Sequence, residues 1–272
     1  MRMLVKVGGA VLDEPDARSS FARSVAQALA AGHELVIVHG GGRQLGRMCA
    51  DLGLVERRWR GLRVTDARTA EVALAILGGS VNRILVRALE VAGVSAAGLS
   101  GADGALFDAE PLHSDEVDLG YVGQVSAVNS KLLEHLLAGG FVPVVATVGP
   151  HQGSAGGDEP FLNVNADHAA GALARAIDAD VLLLLTDVPA LLDGKGQRVA
   201  CATLDRLAEL DREGTIEGGM IPKVEGALAA LTPPSRTLVK IAPWAGEDAI
   251  RGALQSSVGT VLLSNSEVVG RG

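Results

Sequence analysis

Val36-Ile37-Val38-His39-Gly40-Gly41-Gly42 is a short apolar strand that empties into three consecutive glycines and then into a helix-forming stretch, Gln44 to Leu52. Three residues without a Cβ let successive backbone N–H groups turn toward one point, and the following helix adds the positive end of its dipole. The junction is therefore suited to an anion. A tight strand-to-helix turn with no ligand explains the triplet equally well, so its surroundings must decide.

Working outward, strand-like and helical runs alternate. Met3 to Val7 precedes Ala17 to Ala31, Leu35 to Val38 precedes Gln44 to Leu52, and Val142 to Val148 and Val181 to Thr186 follow later. Such alternation predicts an α/β chain with a largely parallel sheet covered by helices. Val181 to Leu185 is apolar at every position, as expected of a central strand buried on both faces. Between Leu99 and Val128, Gly101, Gly104, Gly120 and Gly123 punctuate β-prone segments, which predicts hairpins at the sheet edge. His151 to Pro160, with Gly153, Gly156 and Gly157, has the composition of a mobile surface loop, either covering a site or merely connecting elements.

Length and charge narrow the possible functions. The 272 residues, 48% of them apolar, fit one large α/β domain or two modest lobes with a sizeable core. With 24 basic against 32 acidic residues the formal charge is −8, so no global basic field draws in nucleic acid, although small anions can bind locally. Cys49 and Cys201 have neither a CxxC neighbour nor metal-type spacing and read as reduced, packed thiols of a cytoplasmic protein. The most continuous apolar run, Val181 to Leu185, is far short of the roughly 20 residues a spanning helix needs. Lys6 and Asp13 interrupt any apolar core at the N-terminus, so no signal peptide or membrane partner is expected.

Several charges stand where local rules disfavour them. Lys6 lies between Val5 and Val7 in the first strand, just ahead of Gly8-Gly9; it is either an exposed edge-strand lysine or a partner for a bound anion. Lys223 follows Gly218-Gly219-Met220-Ile221-Pro222. Because proline is tolerated in a helix's first turn, Lys223 falls near a helix N-terminus, where the macrodipole favours negative charge. Asn163, Asn165 and Asp167 cluster where the helix Ala169 to Ile177 begins. Capping accounts for two of the three, and Asp167 alternatively lies between Lys6 and Lys223, orienting both. Arg57, Arg58, Arg60 and Arg63 crowd one short segment of an acidic chain. Most of these should face water, whereas Arg63, in Gly61-Leu62-Arg63-Val64-Thr65, is the best held and suited to gripping a carboxylate with two bonds. His39 reads as a hydrogen-bonded structural histidine, since no acid or serine has the spacing to make it a catalytic base. The other histidines, His168 included, form no metal pattern.

Together, Lys6-Val7-Gly8-Gly9, His39-Gly40-Gly41-Gly42, Gly61-Leu62-Arg63-Val64-Thr65, Asn163-Val164-Asn165-Ala166-Asp167, Thr186-Asp187-Val188 and Gly219-Met220-Ile221-Pro222-Lys223 resemble the amino acid kinase family. Within it they resemble most the branch acting on N-acetylglutamate. The motifs occur in family order over nearly the whole chain.

The resemblance implies a single domain over residues 1–272, an open three-layer αβα sandwich with a substrate lobe (1–178) and an ATP lobe (179–272). It also implies roles. Lys6 and the N–H groups of Gly8, Gly9, Gly41 and Gly42 would hold the phosphoryl group in flight. Gly41, Gly42, Arg63 and Asn163 would bind the acyl amino acid, Lys223 would neutralise charge on the ADP side, and Asp167 would hold both lysines. Thr186, Asp187, Val188, Leu192 and Ile216 would form the nucleotide pocket. ATP would bring its own Mg²⁺, with no protein metal site. The expected reaction is phosphorylation of the side-chain carboxylate of N-acetyl-L-glutamate in arginine biosynthesis. Carrier-linked aminoadipate and N-succinylglutamate are alternative acceptors, and a non-catalytic nucleotide-binding protein is the alternative outside catalysis. Thr186 stands where the family often has serine, and the 151–160 loop looks longer than usual. With the first strand beginning at Met3, no N-terminal helix precedes it, so a homodimer without arginine feedback is expected.

Other readings of the glycines are weaker. Gly40, Gly42 and Gly46 make only a loose variant of the dinucleotide fingerprint, the HGGG of esterases lacks a GxSxG partner here, and no Walker A motif is present.

Overall fold

β1 (Arg2–Val7) is the strand on which the architecture is centred in this computed structural model, which describes residues 1–153, 159–233 and 235–264. On one side β1 pairs in parallel with β2 (Glu34–His39), which pairs with β8 (Val142–Ala146) and then β5 (Ala96–Leu99). On the other side come β11 (Val181–Thr186) and β13 (Leu238–Pro243), both parallel to β1. Beyond them, β14 (Thr260–Leu263) is antiparallel to β13 and parallel to β12 (Cys201–Thr203). The eight strands run β12-β14-β13-β11-β1-β2-β8-β5.

The strand period of two sends alternate side chains to opposite faces, and both faces are apolar. Met3, Val5, Val7, Ile37, Leu183 and Leu185 pack against α2 (Pro15–Ala30), α5 (Asn82–Val91) and α10 (Ala249–Ala253). Leu4, Val36, Val38, Leu182 and Leu184 pack against α7 (Ala166–Ala176), α8 (Leu204–Arg212) and α9 (Met220–Leu231). The result is the expected three-layer αβα sandwich. β1 lies in the middle of the sheet, so Lys6 is not an edge-strand lysine and its burial needs another explanation.

Two smaller sheets stand beside the large one. β3 (Arg57–Trp59) and β4 (Leu62–Val64) form an antiparallel ribbon. β6 (Phe107–Pro111), β7 (Val122–Val128), β9 (Val148–Gly149) and β10 (Leu162–Val164) form a four-stranded sheet in the order β6-β7-β10-β9. The glycine-punctuated region thus contains the hairpin β6–β7, but not at the edge of the main sheet. β5 ends that sheet, and β7 finds its second partner in β10, with Asn163 opposite Val122. For the same reason Val142 to Val148 is not one strand: it divides at Thr147 between the two sheets. Within the expected loop His151 to Pro160, residues 154–158 lie outside the described residues.

The remaining helices are α1 (Ala10–Asp13), α3 (Gly42–Asp51), α4 (Ala67–Ala73), which runs through a π-helical stretch (Leu74–Val81) into α5, and α6 (Lys131–Ala138). The continuous run Ala67–Val91 is long and apolar enough to cross a membrane, with a mean hydropathy of 1.6. One face of it is core, where Leu77, Val81, Leu85 and Leu89 are buried and the Asn82 side chain is hydrogen-bonded inside the protein, while Leu74, Ile84 and Val91 are exposed. Cys49 is buried as expected, whereas Cys201, at the start of the outermost strand, is exposed rather than packed; neither is in a disulfide.

Candidate active site

Three strand-to-helix junctions, β1–α1, β2–α3 and β10–α7, meet at one cavity of about 220 Å³, at the C-terminal ends of β1 and β2. Lys6 reaches it because even-numbered residues of β1 face the α7 side, where Leu4 is core and Lys6 comes one step nearer the strand's end. Gly8 and Gly9 then turn the chain into α1, and Gly41 turns β2 into α3. Gly9 has φ +50°, and a Cβ there would stand 2.6 Å from an Asp187 carboxylate oxygen. Gly41 has φ +150°, and a Cβ there would stand 2.6 Å from Leu77 Cδ2. Glycine is therefore favoured at both turns by conformation, and at Gly41 by space as well. The N-termini of α3 and α7 both open on the cavity; α3 has no side-chain cap, so its first backbone N–H groups are left for a ligand.

Asp167 is the hub. Asn165 caps α7, its side-chain oxygen accepting from the N–H groups of Asp167 (2.8 Å) and His168 (3.3 Å), which fixes the first turn on which Asp167 sits. The Asp167 carboxylate is only 4% exposed. Lys223 Nζ donates to its Oδ2 at 3.2 Å, and Lys6 Nζ lies 2.9 Å from Oδ1 as an ion pair outside hydrogen-bond geometry. Lys223 can come this close because Gly171 and Gly226 let the α7 and α9 backbones touch, so the first turn of α9 lies against Asp167. Its misfit with the α9 dipole is answered by that carboxylate. Burial would raise the Asp167 carboxyl pKa, but the charges of Lys6 and then Lys223 outweigh it and hold the group below its ordinary range. Burial lowers the Lys6 ammonium, a shift opposed by Asp167 and reinforced by Lys223.

Arg63, 8% exposed, enters the same cavity from β4. Its Nη1 meets Glu56 Oε2 at 2.9 Å and its Nη2 donates to the Gly42 carbonyl at 2.8 Å. Asn163, on β10, donates to Thr65 Oγ1 at 3.1 Å, and Thr65 Oγ1 donates to the Arg63 carbonyl at 2.8 Å. Gly41, Gly42, Arg63 and Asn163 thus line the same cavity as Lys6, Gly8, Gly9 and Asp167.

The residues expected around a nucleotide are less uniformly disposed. Thr186 ends β11, and Asp187 stands beside Gly9 with its side chain 56% exposed. Val188 and Leu192 are exposed apolar side chains, whereas Ile216 is buried in the core with Leu191, Leu207 and Leu210. His39 is fully buried, with Nδ1 2.8 Å from the Gly40 carbonyl and Nε2 3.0 Å from Asn82 Nδ2. Burial lowers its pKa to about 4, so it is neutral at physiological pH. It braces the glycine turn, in keeping with its structural reading. Among the described residues no cluster of three or more His, Cys, Asp or Glu could hold a metal ion, and His168 instead pairs with Glu225 at 2.9 Å.

The structure adds residues the sequence reading did not single out. Asp13, at the end of α1, accepts from Arg43 (2.8 Å), Gln44 (3.0 Å) and Arg47 (3.2 Å) of α3, clamping together the helices that begin at the two glycine turns. Glu56 joins Arg58 to Arg63. The only signal for either is an isolated acid near a glycine turn or a basic run.

Comparison with known proteins agrees with this geometry. Residues 1–236 match the amino acid kinase family. The acetylglutamate kinase of Koribacter versatilis is 40% identical over 266 residues, covering 97% of this chain and 99% of its own, and that of Methanopyrus kandleri is 43% identical over 243 residues, covering 87% and 93%. Among solved structures, smu.665 from Streptococcus mutans superposes with a TM-score of 0.80 at 28% identity, covering 96% of this chain and 98% of that one. On these matches, the chain belongs to the amino acid kinase family.

Proposed function

We propose that the chain transfers the γ-phosphoryl group of ATP to the side-chain carboxylate of N-acetyl-L-glutamate, giving N-acetyl-L-glutamyl 5-phosphate and ADP in arginine biosynthesis. The observation that carries the reading is the pair of ammonium groups on one buried carboxylate between two glycine turns, in a chain about 40% identical to acetylglutamate kinases over nearly its full length.

In this reading a carboxylate oxygen of the acceptor attacks the γ-phosphorus, and the bond from phosphorus to the β,γ-bridging oxygen breaks to release ADP. The nucleophile is already an anion, so no general base is needed, and catalysis consists of positioning and charge neutralisation. Lys6 with the N–H groups of Gly8, Gly9, Gly41 and Gly42 holds the phosphoryl group in flight. Lys223 offsets charge accumulating on the ADP side, and Asp167 keeps the lysines from drifting apart. Gly41, Gly42, Arg63 and Asn163 hold the acceptor; Gly8 and Gly9, with Thr186, Asp187, Val188 and Leu192, serve the nucleotide, and Ile216 backs that pocket from the core. Mg²⁺ carried by the nucleotide would offset charge on its phosphates, and no residue of the chain is assigned to hold it. The division into a substrate lobe (1–178) and an ATP lobe (179–272), a cytoplasmic location and a homodimer belong to the same proposal.

A coupled assay of ADP release, run with N-acetyl-L-glutamate, free glutamate, N-acetylaspartate and aminoadipate, tests the acceptor. Hydroxylamine trapping tests for the acyl phosphate. ADP release independent of acceptor, or preference for another acceptor, overturns the assignment.

A further inference from the structure

The cavity holds more arginine charge than these roles employ. On the β3–β4 ribbon Arg58 is paired directly opposite Arg63. Like charges in that position disfavour the pairing. Glu56 resolves the conflict by facing both, accepting from Arg58 Nε at 2.6 Å and lying 2.9 Å from Arg63 Nη1 as an ion pair. Burial would raise the Glu56 carboxyl pKa, but the Arg58 hydrogen bond and the Arg63 charge outweigh it, so Glu56 stays ionised.

Exposure then separates the two arginines. Arg63 is buried, with one nitrogen against Glu56 and a second engaged by the Gly42 carbonyl. So held, it can orient an incoming carboxylate. Because Glu56 is shared, one of the two guanidinium charges is left over, and Arg58 is the more exposed of the two. Its side chain is 52% exposed, it lines the same cavity as Lys6 and Arg63, and its Nη1 donates only a long bond of 3.4 Å to the Gly61 carbonyl. Its Nη2 lies 4.0 Å from where a Gly42 Cβ would stand and has no hydrogen bond among the described residues. The trio of Arg58, Arg63 and Glu56 carries one net positive charge, which a single carboxylate cancels.

We propose that Arg58 is a second ligand of the acceptor's α-carboxylate, supplying the attracting charge at the cavity mouth while buried Arg63 sets the carboxylate's orientation. This rests on the reading that Arg63 meets the α-carboxylate. It makes Arg58 a determinant of specificity for an acceptor whose α-carboxyl is free and ionised.

Steady-state kinetics of wild type, Arg58→Gln and Arg58→Lys with N-acetyl-L-glutamate and its α-amide test it. Losing a charge-assisted bond should raise KM for N-acetyl-L-glutamate about 10- to 100-fold in Arg58→Gln, with a far smaller change in kcat and in KM for ATP. Lysine restores charge but not the planar fork and should fall between. KM for the α-amide should barely respond, so the wild-type preference for the acid shrinks by the same factor. Added salt should raise the wild-type KM more steeply than that of Arg58→Gln. Equal KM changes for acid and amide, or no change, overturn the proposal and leave Arg58 as a brace of the ribbon. If Arg58→Gln proves unstable to heat, Arg58→Lys, which keeps a cation beside Glu56, is compared on the same two substrates. Should the wild type prefer another α-carboxylated acceptor, the assignment of N-acetyl-L-glutamate fails, while the same ratio measured on that acceptor and its amide still decides the role of Arg58.

Discussion

Lys6 and Lys223 stand on opposite oxygens of the Asp167 carboxylate, at 2.9 and 3.2 Å, although one ends the central strand and the other opens a helix. The trio carries one net positive charge in a site almost closed to water, where each charge acts through a low dielectric. An arriving phosphoryl group finds that charge preorganised instead of having to assemble it.

Replacing either lysine by alanine should lower kcat by about 10²- to 10³-fold, the usual effect of losing one preorganised donor. KM for the acceptor should change much less, because neither lysine is assigned to the acceptor's recognition groups. Initial rates at saturating substrates check this, and near-wild-type turnover by Lys6→Ala or Lys223→Ala removes that lysine from the mechanism.

Asp167→Asn keeps the shape of the hub but leaves two buried ammonium groups without a counter-charge. Breaking a buried ion pair on one side commonly costs about 3–5 kcal/mol, so the variant should be less stable by that order as well as inactive. Exchanging all three groups for apolar residues, Lys6→Met with Lys223→Met and Asp167→Leu, should recover much of the stability and none of the activity. Urea unfolding of both variants is the measurement. A stable, active Asp167→Asn would mean that the lysines are held by something else.

Much of this site was legible in the sequence because its charges break local rules. A lysine inside an apolar strand, a lysine at a helix N-terminus and three polar residues where one cap suffices each stand out within a window of a few residues. The pairing of Arg58 with Arg63 through Glu56 did not stand out, since it depends on which residues face each other across a ribbon. The hairpin of β6 and β7 shows the same limit. Its strands were visible, but membership of a second sheet depends on β10, far along the chain. Ile216 illustrates the reverse: motif position associates it with the nucleotide, while its side chain is committed to the core.

Gly41→Ala should separate conformation from crowding. At φ +150° any Cβ is strained, at an expected cost of about 1–3 kcal/mol, and the new methyl would also press on Leu77. Adding Leu77→Ala removes the crowding but not the strain or the displaced N–H groups. The double variant should therefore recover part of the stability lost on thermal unfolding, yet remain as slow as the single one. Full recovery of kcat would mean that the turn tolerates a side chain and that only packing was at issue.

His39 links the glycine turn to acid stability. Its pKa is about 4 in the folded protein and about 6.5 when exposed, so the unfolded chain takes up the proton first. The sign follows: stability associated with the neutral ring is fully present above pH 6.5 and is lost as pH falls toward 4. The window is worth about 3 kcal/mol. In His39→Gln no such proton exists, so the difference in unfolding free energy between wild type and variant should narrow by that order between pH 7 and pH 4. Parallel curves over this range would show that His39 is not carried neutral into the folded state, and that the bond to the Gly40 carbonyl does not depend on its being so.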